Sequence, residues 1–254
     1  MRDVLEAVAA GEISIDEAEV ALAGYATGDV GRFDAARETR RGVPEGILAP
    51  GKTPTEVATL VGVAVETTGH AIATRTTASH RTAITERLGD TDAHIDSRDR
   101  SGTVVVHAGS YEPPTLAASV GIVTAGTADA GPAEEASVVA EEMGASIHRL
   151  DDVGVANLTR VTDRLDDLRE LDVLIVAAGR EGALPTVVAG LVNTPVIGLP
   201  ISTGYGYGGD GEAALAGMLQ SCTVLSVVNI DAGFVAGAQA GLIAQAIDAA
   251  RTHD

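Results

Sequence analysis

Any chemistry in this chain starts from one thiol, one amine and a few carboxylates set among glycines. Cys222 is the only cysteine and stands in Gln220-Ser221-Cys222-Thr223, between a helical stretch and an aliphatic run. A thiolate there would be a strong nucleophile toward an electron-poor ring. A lone cysteine is equally the kind of residue that proteins bury as a small inert hydrophobe. The polar junction around it favours the nucleophile, as does the adjoining run, which is expected to bring Asn229 and Asp231 to the same site edge. Glu181, in Gly179-Arg180-Glu181-Gly182, comes after another aliphatic run and precedes a helical stretch. Its carboxylate could move a proton or hold a metal, or could simply favour a helix dipole.

Three glycine-bearing segments add ligand-binding candidates. Thr124-Ala125-Gly126-Thr127-Ala128-Asp129 opens a helix whose first N–H groups could cradle a phosphate, with Thr127 adding a hydroxyl; a plain N-cap by Thr127 or Asp129 fits equally. Gly204-Tyr205-Gly206-Tyr207-Gly208-Gly209-Asp210-Gly211 permits positive φ and close approach to a ligand, or is a mobile surface loop. Residues 46–53 match the phosphate-loop pattern GxxxxGK[ST], but the charged, Pro44-containing stretch before them does not read as the buried strand that must precede such a loop. Lys52, the only lysine, is still a candidate contact to a phosphate or carboxylate. The six histidines show no ligand-type spacing.

These residues need elements to position them. Aliphatic runs fall at 120–123, 147–150, 173–177, 196–199 and 225–228, with helical stretches at 133–143, 157–168, 184–191, 212–219 and 234–249. That alternation predicts right-handed βαβ units and a doubly wound parallel sheet of flavodoxin-like order. In such sheets ligands sit beyond the carboxyl ends of the strands, here 124–129, 151–154, 178–182, 200–210 and 229–233. Paired prolines at 113 and 114 mark a boundary: a smaller α/β domain over 1–110 and the main one over 116–254. Within the first, two short helices are expected over 1–23, with Ser14 and Glu17 as a capping pair. A loop is expected over 29–50, a helix from Thr53 to about 68, strands at 71–75 and 103–107, and a helix at 79–88.

Hydrophobic residues make up 45% of the chain and aromatics only 2%, so the core is built from Val, Leu, Ile and Ala, which suits a covered parallel sheet. Net charge is −19, which disfavours binding driven by a nucleic-acid backbone. Sixteen arginines to one lysine, with that acid excess, reads as adaptation to high salt. No apolar run reaches the roughly 18 residues of a membrane span, and the N-terminus lacks a basic leader, so a cytoplasmic protein is expected.

Residues 176–188 (Val-Ala-Ala-Gly-Arg-Glu-Gly-Ala-Leu-Pro-Thr-Val-Val) and then 195–200 (Pro-Val-Ile-Gly-Leu-Pro) resemble aminoimidazole ribonucleotide carboxylases. A closer resemblance is to the LarB family, the pyridinium-3,5-biscarboxylic acid mononucleotide synthases of nickel-pincer cofactor synthesis. It is carried by 123–129, by Asp152-Val153-Gly154-Val155-Ala156 and by Ser221-Cys222 through Asn229-Ile230-Asp231. It reaches back to Gly51-Lys52-Thr53-Pro54 and Ala73-Thr74-Arg75, so it covers nearly the whole chain.

The resemblance implies carboxylation of the pyridinium ring of nicotinic acid adenine dinucleotide, with carbon dioxide from bicarbonate, and hydrolysis of its phosphoanhydride to release AMP. The family's nucleophilic cysteine falls on Cys222 and its active-site glutamate on Glu181. Substrate contacts are expected from Thr124, Gly126, Thr127, Asp129, Asp152, Gly179, Gly182, Gly204, Tyr205, Gly206 and Asn229, with Lys52 and Arg75. A divalent ion, Mg2+, is expected with Asp231 as a ligand, in a homo-oligomer of four or eight copies. Arg180 stands where the family usually has an apolar residue, often methionine, and Val235 where it has glycine. Two other readings share these residues: an aminoimidazole ribonucleotide carboxylase or mutase, which needs no cysteine, and a non-catalytic nucleotide-binding protein.

Overall fold

The computed structural model describes residues 2–252 except 12, 16, 17, 19–23 and 29. The chain divides into two compact units, Met1–Glu112 and Pro113–Asp254.

The first unit begins with α1 (Arg2–Ala10); the second helix expected there, with its Ser14–Glu17 cap, falls mostly outside the described residues. Next is an antiparallel ribbon of β1 (Ala26–Gly28) and β2 (Gly31–Phe33). Then come α2 (Arg37–Arg41), β3 (Gly46–Leu48), α3 (Pro54–Thr68), β4 (His70–Thr74), α4 (Ala78–Leu88), β5 (His94–Arg98) and β6 (Thr103–His107). Strands line up as β3-β4-β6-β5, the first pair parallel and the others antiparallel. The expected loop over 29–50 therefore holds short elements, which its composition hides: Arg40 pairs with Asp34 and Arg37 with Glu45, so the charges that read as loop fasten α2. Strand β5 is an element the sequence does not announce, being a half-exposed edge strand with a charged sequence. α3 starts at its expected cap, the Thr53 N–H donating to Glu56 at 2.7 Å with Pro54 in the first turn.

The second unit runs β7 (Ser119–Thr124), a 3-10 turn (Thr127–Asp129), α5 (Ala130–Glu142), β8 (Ser146–Leu150), α6 (Thr159–Thr162), α7 (Leu165–Arg169), β9 (Val173–Ala178), α8 (Ala183–Ala189), β10 (Val196–Pro200), α9 (Glu212–Leu219), β11 (Ser226–Val227) and α10 (Gly233–Thr252). The order β11-β10-β9-β7-β8, all parallel, is the doubly wound, flavodoxin-like sheet expected from the alternation. Its direction of winding reverses between β7 and β9. Both faces are covered, which is why the strands read as unbroken aliphatic runs. Val173, Ile175 and Ala177 of β9 face the alanines of α5 and α10. Leu174, Val176 and Ala178 face Val161, Leu168, Leu184, Val188 and Met218. Gly121 in β7 makes room for that second layer, since a Cβ there would lie 2.6 Å from both Leu171 and Leu174. The single helix expected over 157–168 is two, broken around Arg164 (φ −109). Among the described residues no helix is long and apolar enough to cross a membrane.

Candidate active site

The carboxyl ends of β7 and β9 flank the switch point, and a buried acid ties them together. Asp129 is only 5% exposed; its carboxylate accepts the Gly126 N–H at 2.8 Å, and the backbone N–H groups of Gly179 and Ala125 lie near enough to favour its charged form. Burial pushes this carboxyl above the ordinary aspartate range, and the three N–H groups pull the other way. One side chain thus holds the turn after β7 against the turn after β9. Gly179 has to be small here: a Cβ would come within 3.3 Å of the Thr203 hydroxyl and 3.5 Å of Asp129. Thr203 belongs to this corner and is not singled out by sequence, since a threonine after an aliphatic run carries no signal of its own.

A second clamp joins the ends of β7 and β8. Thr124, fully buried, donates its hydroxyl to Asp151 at 2.9 Å, and the Val153 N–H donates to the Thr124 carbonyl at 2.9 Å. Thr124 and Asp129 therefore shape the cradle from below, and exposed Thr127 lines it. Asp152 sits at φ 59 with its carboxylate on Arg160 at 2.7 Å. Gly154 packs against the Ala125 carbonyl, where a Cβ would come within 2.7 Å.

Beyond β9 and β10 the turns 179–182 and 201–211 meet. Arg180 and Gly182 both have positive φ, 52 and 66. The guanidinium of Arg180 lies 4.2 Å from the centre of the Tyr205 ring. Gly204 packs against the Arg180 backbone, and Gly182 is held against α9 at Ala214. Glu181 is exposed, and its carboxylate has no hydrogen-bond or ion-pair partner among the described residues. Tyr205 is 77% exposed and Tyr207 fully so, on glycines that include Gly206 and Gly208 at φ 88 and 67. Asp231, at φ 54, accepts the Ser202 N–H at 3.0 Å, while Asn229 accepts the neighbouring Ile230 N–H.

Cys222 lies elsewhere. It is exposed, after the end of α9 and before β11, on the amino-terminal edge of the sheet. Ser221 and Thr223 bond to each other across it at 2.7 Å, and the Thr223 hydroxyl reaches the Thr186 carbonyl, midway along α8, at 3.4 Å. Glu181 precedes α8, so the first four residues of that helix lie between it and the point where Thr223 is anchored, roughly 6 Å at 1.5 Å per residue, and the Glu181 carbonyl packs against Gly217 in α9. β11 likewise separates Cys222 from Asn229 and Asp231 instead of joining them: residues before a parallel strand lie at its amino edge, and only those after it reach the carboxyl edge. One chain brings together the phosphate-cradle residues, Arg180, Glu181 and Tyr205, but not the thiol.

In the first unit, Lys52 and Arg75 come after the carboxyl ends of the neighbouring parallel strands β3 and β4, which pair Leu48 with Thr74. Lys52 donates to the Leu48 carbonyl at 2.6 Å. The phosphate-loop match is not a phosphate loop, because β3 occupies Gly46–Leu48, inside the motif itself, where the strand should precede the loop.

Asp231 is committed to Ser202, and among the described residues no group of three or more His, Cys, Asp or Glu side chains could hold a metal ion. The described side chains therefore build no cage for Mg2+.

Two family descriptions match the chain: a LarB/PurE-like N-terminal domain over residues 25–104 and AIR carboxylase over residues 119–254. An uncharacterized protein of Methanocaldococcus jannaschii is 39% identical over 254 aligned residues, covering 96% of this chain and 97% of that one. The crevice at the switch point lies wholly inside the carboxylase match, which supports an activity of carboxylase type for the chain. The chain is a member of the family that joins a LarB/PurE-like N-terminal domain to an AIR carboxylase domain.

Proposed function

We propose that the protein converts nicotinic acid adenine dinucleotide and carbon dioxide, drawn from bicarbonate, to pyridinium-3,5-biscarboxylic acid mononucleotide and AMP. The observation that carries this reading over aminoimidazole ribonucleotide carboxylation is that one chain has both the matched N-terminal domain and, in its second unit, an exposed cysteine. A pyridinium ring is electron-poor and does not attack carbon dioxide. Addition of the Cys222 thiolate to the ring forms a C–S bond and leaves an enamine, whose β-carbon bonds to carbon dioxide. Glu181, without a partner among the described residues, then takes the proton from that carbon, and the returning electron pair expels the thiolate and restores the aromatic ring. Water cleaves the phosphoanhydride in the second half-reaction. The cradle at 124–129, with Asp152, Gly179, Gly182, Gly204, Tyr205, Gly206 and Asn229, would hold the nucleotide, and Lys52 and Arg75 would supply cationic phosphate contacts. A Mg2+ ion, absent a protein cage, would be carried on the dinucleotide's own phosphates.

In a homo-oligomer of four or eight copies, the thiol at the amino edge of one copy would reach the ring held by another. The surface around the thiol suits such a contact: Leu219 and Val224 are 65% and 95% exposed. The direct test incubates the protein with the dinucleotide, bicarbonate and Mg2+ in strong salt and looks by mass spectrometry for AMP and a mononucleotide heavier by one carboxylate. Cys222→Ala should abolish ring carboxylation; an unchanged rate removes the covalent route. Turnover of aminoimidazole ribonucleotide instead would replace the proposal by the purine-synthesis reading.

A further inference from the structure

We infer that Arg180 selects the substrate by its ring carboxylate, accepting a nicotinic acid dinucleotide and rejecting the amide form. This deepens the proposed function and rests on it. The second unit contains six arginines. Arg149, Arg160, Arg164 and Arg251 are ion-paired to aspartates, and Arg169 donates to the Leu191 carbonyl. Arg180 alone has no acceptor for its guanidinium among the described residues of this unit. In a chain of net charge −19, a guanidinium left without a carboxylate is conspicuous.

Its place is equally specific. It comes just after Gly179 at the end of β9, the strand beside the reversal, and its backbone is held at φ 52, where residues with a Cβ are seldom found. The guanidinium carbon lies over the Tyr205 ring, 4.2 Å from its centre. A cation–π contact does not use up the guanidinium N–H donors, which stay available for a carboxylate. Glu181, the group that handles the ring proton, is the next residue. Arg180 is therefore placed to meet the ring end of the substrate and its substituent. A carboxylate there would take two charge-assisted hydrogen bonds; a carboxamide presents one carbonyl oxygen and an NH2 that meets the donors head-on.

The two dinucleotides carry the same phosphates and differ only in this substituent, so comparing them separates the two anionic sources. Arg180→Met keeps the length and removes the fork, and Arg180→Lys keeps charge without the fork. KM would be measured for the acid dinucleotide, and Kd for both forms by isothermal titration calorimetry, with melting curves confirming that each variant is folded. Arg180→Met is expected to weaken the acid form about ten- to hundredfold, the range for one bidentate charged contact. The amide form should change less than about twofold, and Arg180→Lys should recover part of the loss. Equal weakening of both forms would mean a phosphate contact and overturn the inference while leaving the functional reading intact. Unchanged binding of the acid form would overturn it as well. A wild-type protein that binds neither dinucleotide would overturn the functional reading together with this one.

Discussion

Replacing Gly154 by alanine is the sharpest test of how the crevice is built. The added Cβ would sit 2.7 Å from the Ala125 carbonyl oxygen and 3.5 Å from its carbon. An ordinary contact between such atoms needs about 3.4 Å, so the turn after β8 and the turn after β7 would have to part by several tenths of an ångström. Neither can yield cheaply. The Val153 N–H is bonded to the Thr124 carbonyl and the Thr124 hydroxyl to Asp151, both at 2.9 Å, on either side of the contact. Overpacking against backbone costs typically 1–3 kcal/mol, and a value of about 2 kcal/mol is appropriate here because the obstacle is a pinned carbonyl. For a unit of this size that lowers the melting temperature by roughly 4–8 °C. Gly126→Ala, in the neighbouring turn, is the control. Its φ of −159 suits any residue, and the nearest atom to its Cβ is an Asp129 oxygen at 4.0 Å, so its stability should stay within about 0.5 kcal/mol of wild type. Scanning calorimetry on both variants, with KM for the dinucleotide, measures the contrast. If Gly154→Ala melts with the wild type and binds substrate as well, the two turns do not touch as described and the cradle is not pre-formed.

Other consequences are equally concrete. The carboxyl of Asp129 is raised by burial, so the stability it contributes is full below the unfolded aspartate value near pH 4 and is lost as pH rises through the higher folded-state value. The unfolding free energy of wild type relative to Asp129→Asn should therefore fall as pH increases from about 4, then level off; denaturant titrations showing a pH-independent difference would contradict a desolvated carboxylate. Cys222→Ala and Glu181→Gln, each inactive alone, should restore about a quarter of the wild-type rate when co-refolded in equal amounts, since a site shared between copies then has one chance in four of drawing both intact residues. No recovery, with mixed oligomers verified by native mass spectrometry, would place both groups on one copy.

Length, aliphatic spacing and glycine placement are enough to foretell the five parallel strands of the second unit, because a strand covered on both faces must be apolar at every position and the runs of 173–178 and 196–200 are. They also mark which turns lie at the carboxyl edge, since connectivity in a parallel sheet is directional. The start of α3 at Thr53 is legible for a local reason, a donor and acceptor three residues apart. Elements held by pairing partners far along the chain are not: β5 is an exposed edge whose residues look like loop, and α2 is fastened by ion pairs that no periodicity encodes. The letters of a phosphate loop are present at 46–53, yet the strand falls inside them. Most of all, tertiary structure decides which candidates meet. Asp129 joins two turns far apart in the chain, and Arg180 finds Tyr205 across the next strand. Cys222 and Glu181, equally reactive on paper, come at opposite edges of the sheet, because strands that all run one way put the residue that follows β9 at the carboxyl edge and the one that precedes β11 at the amino edge.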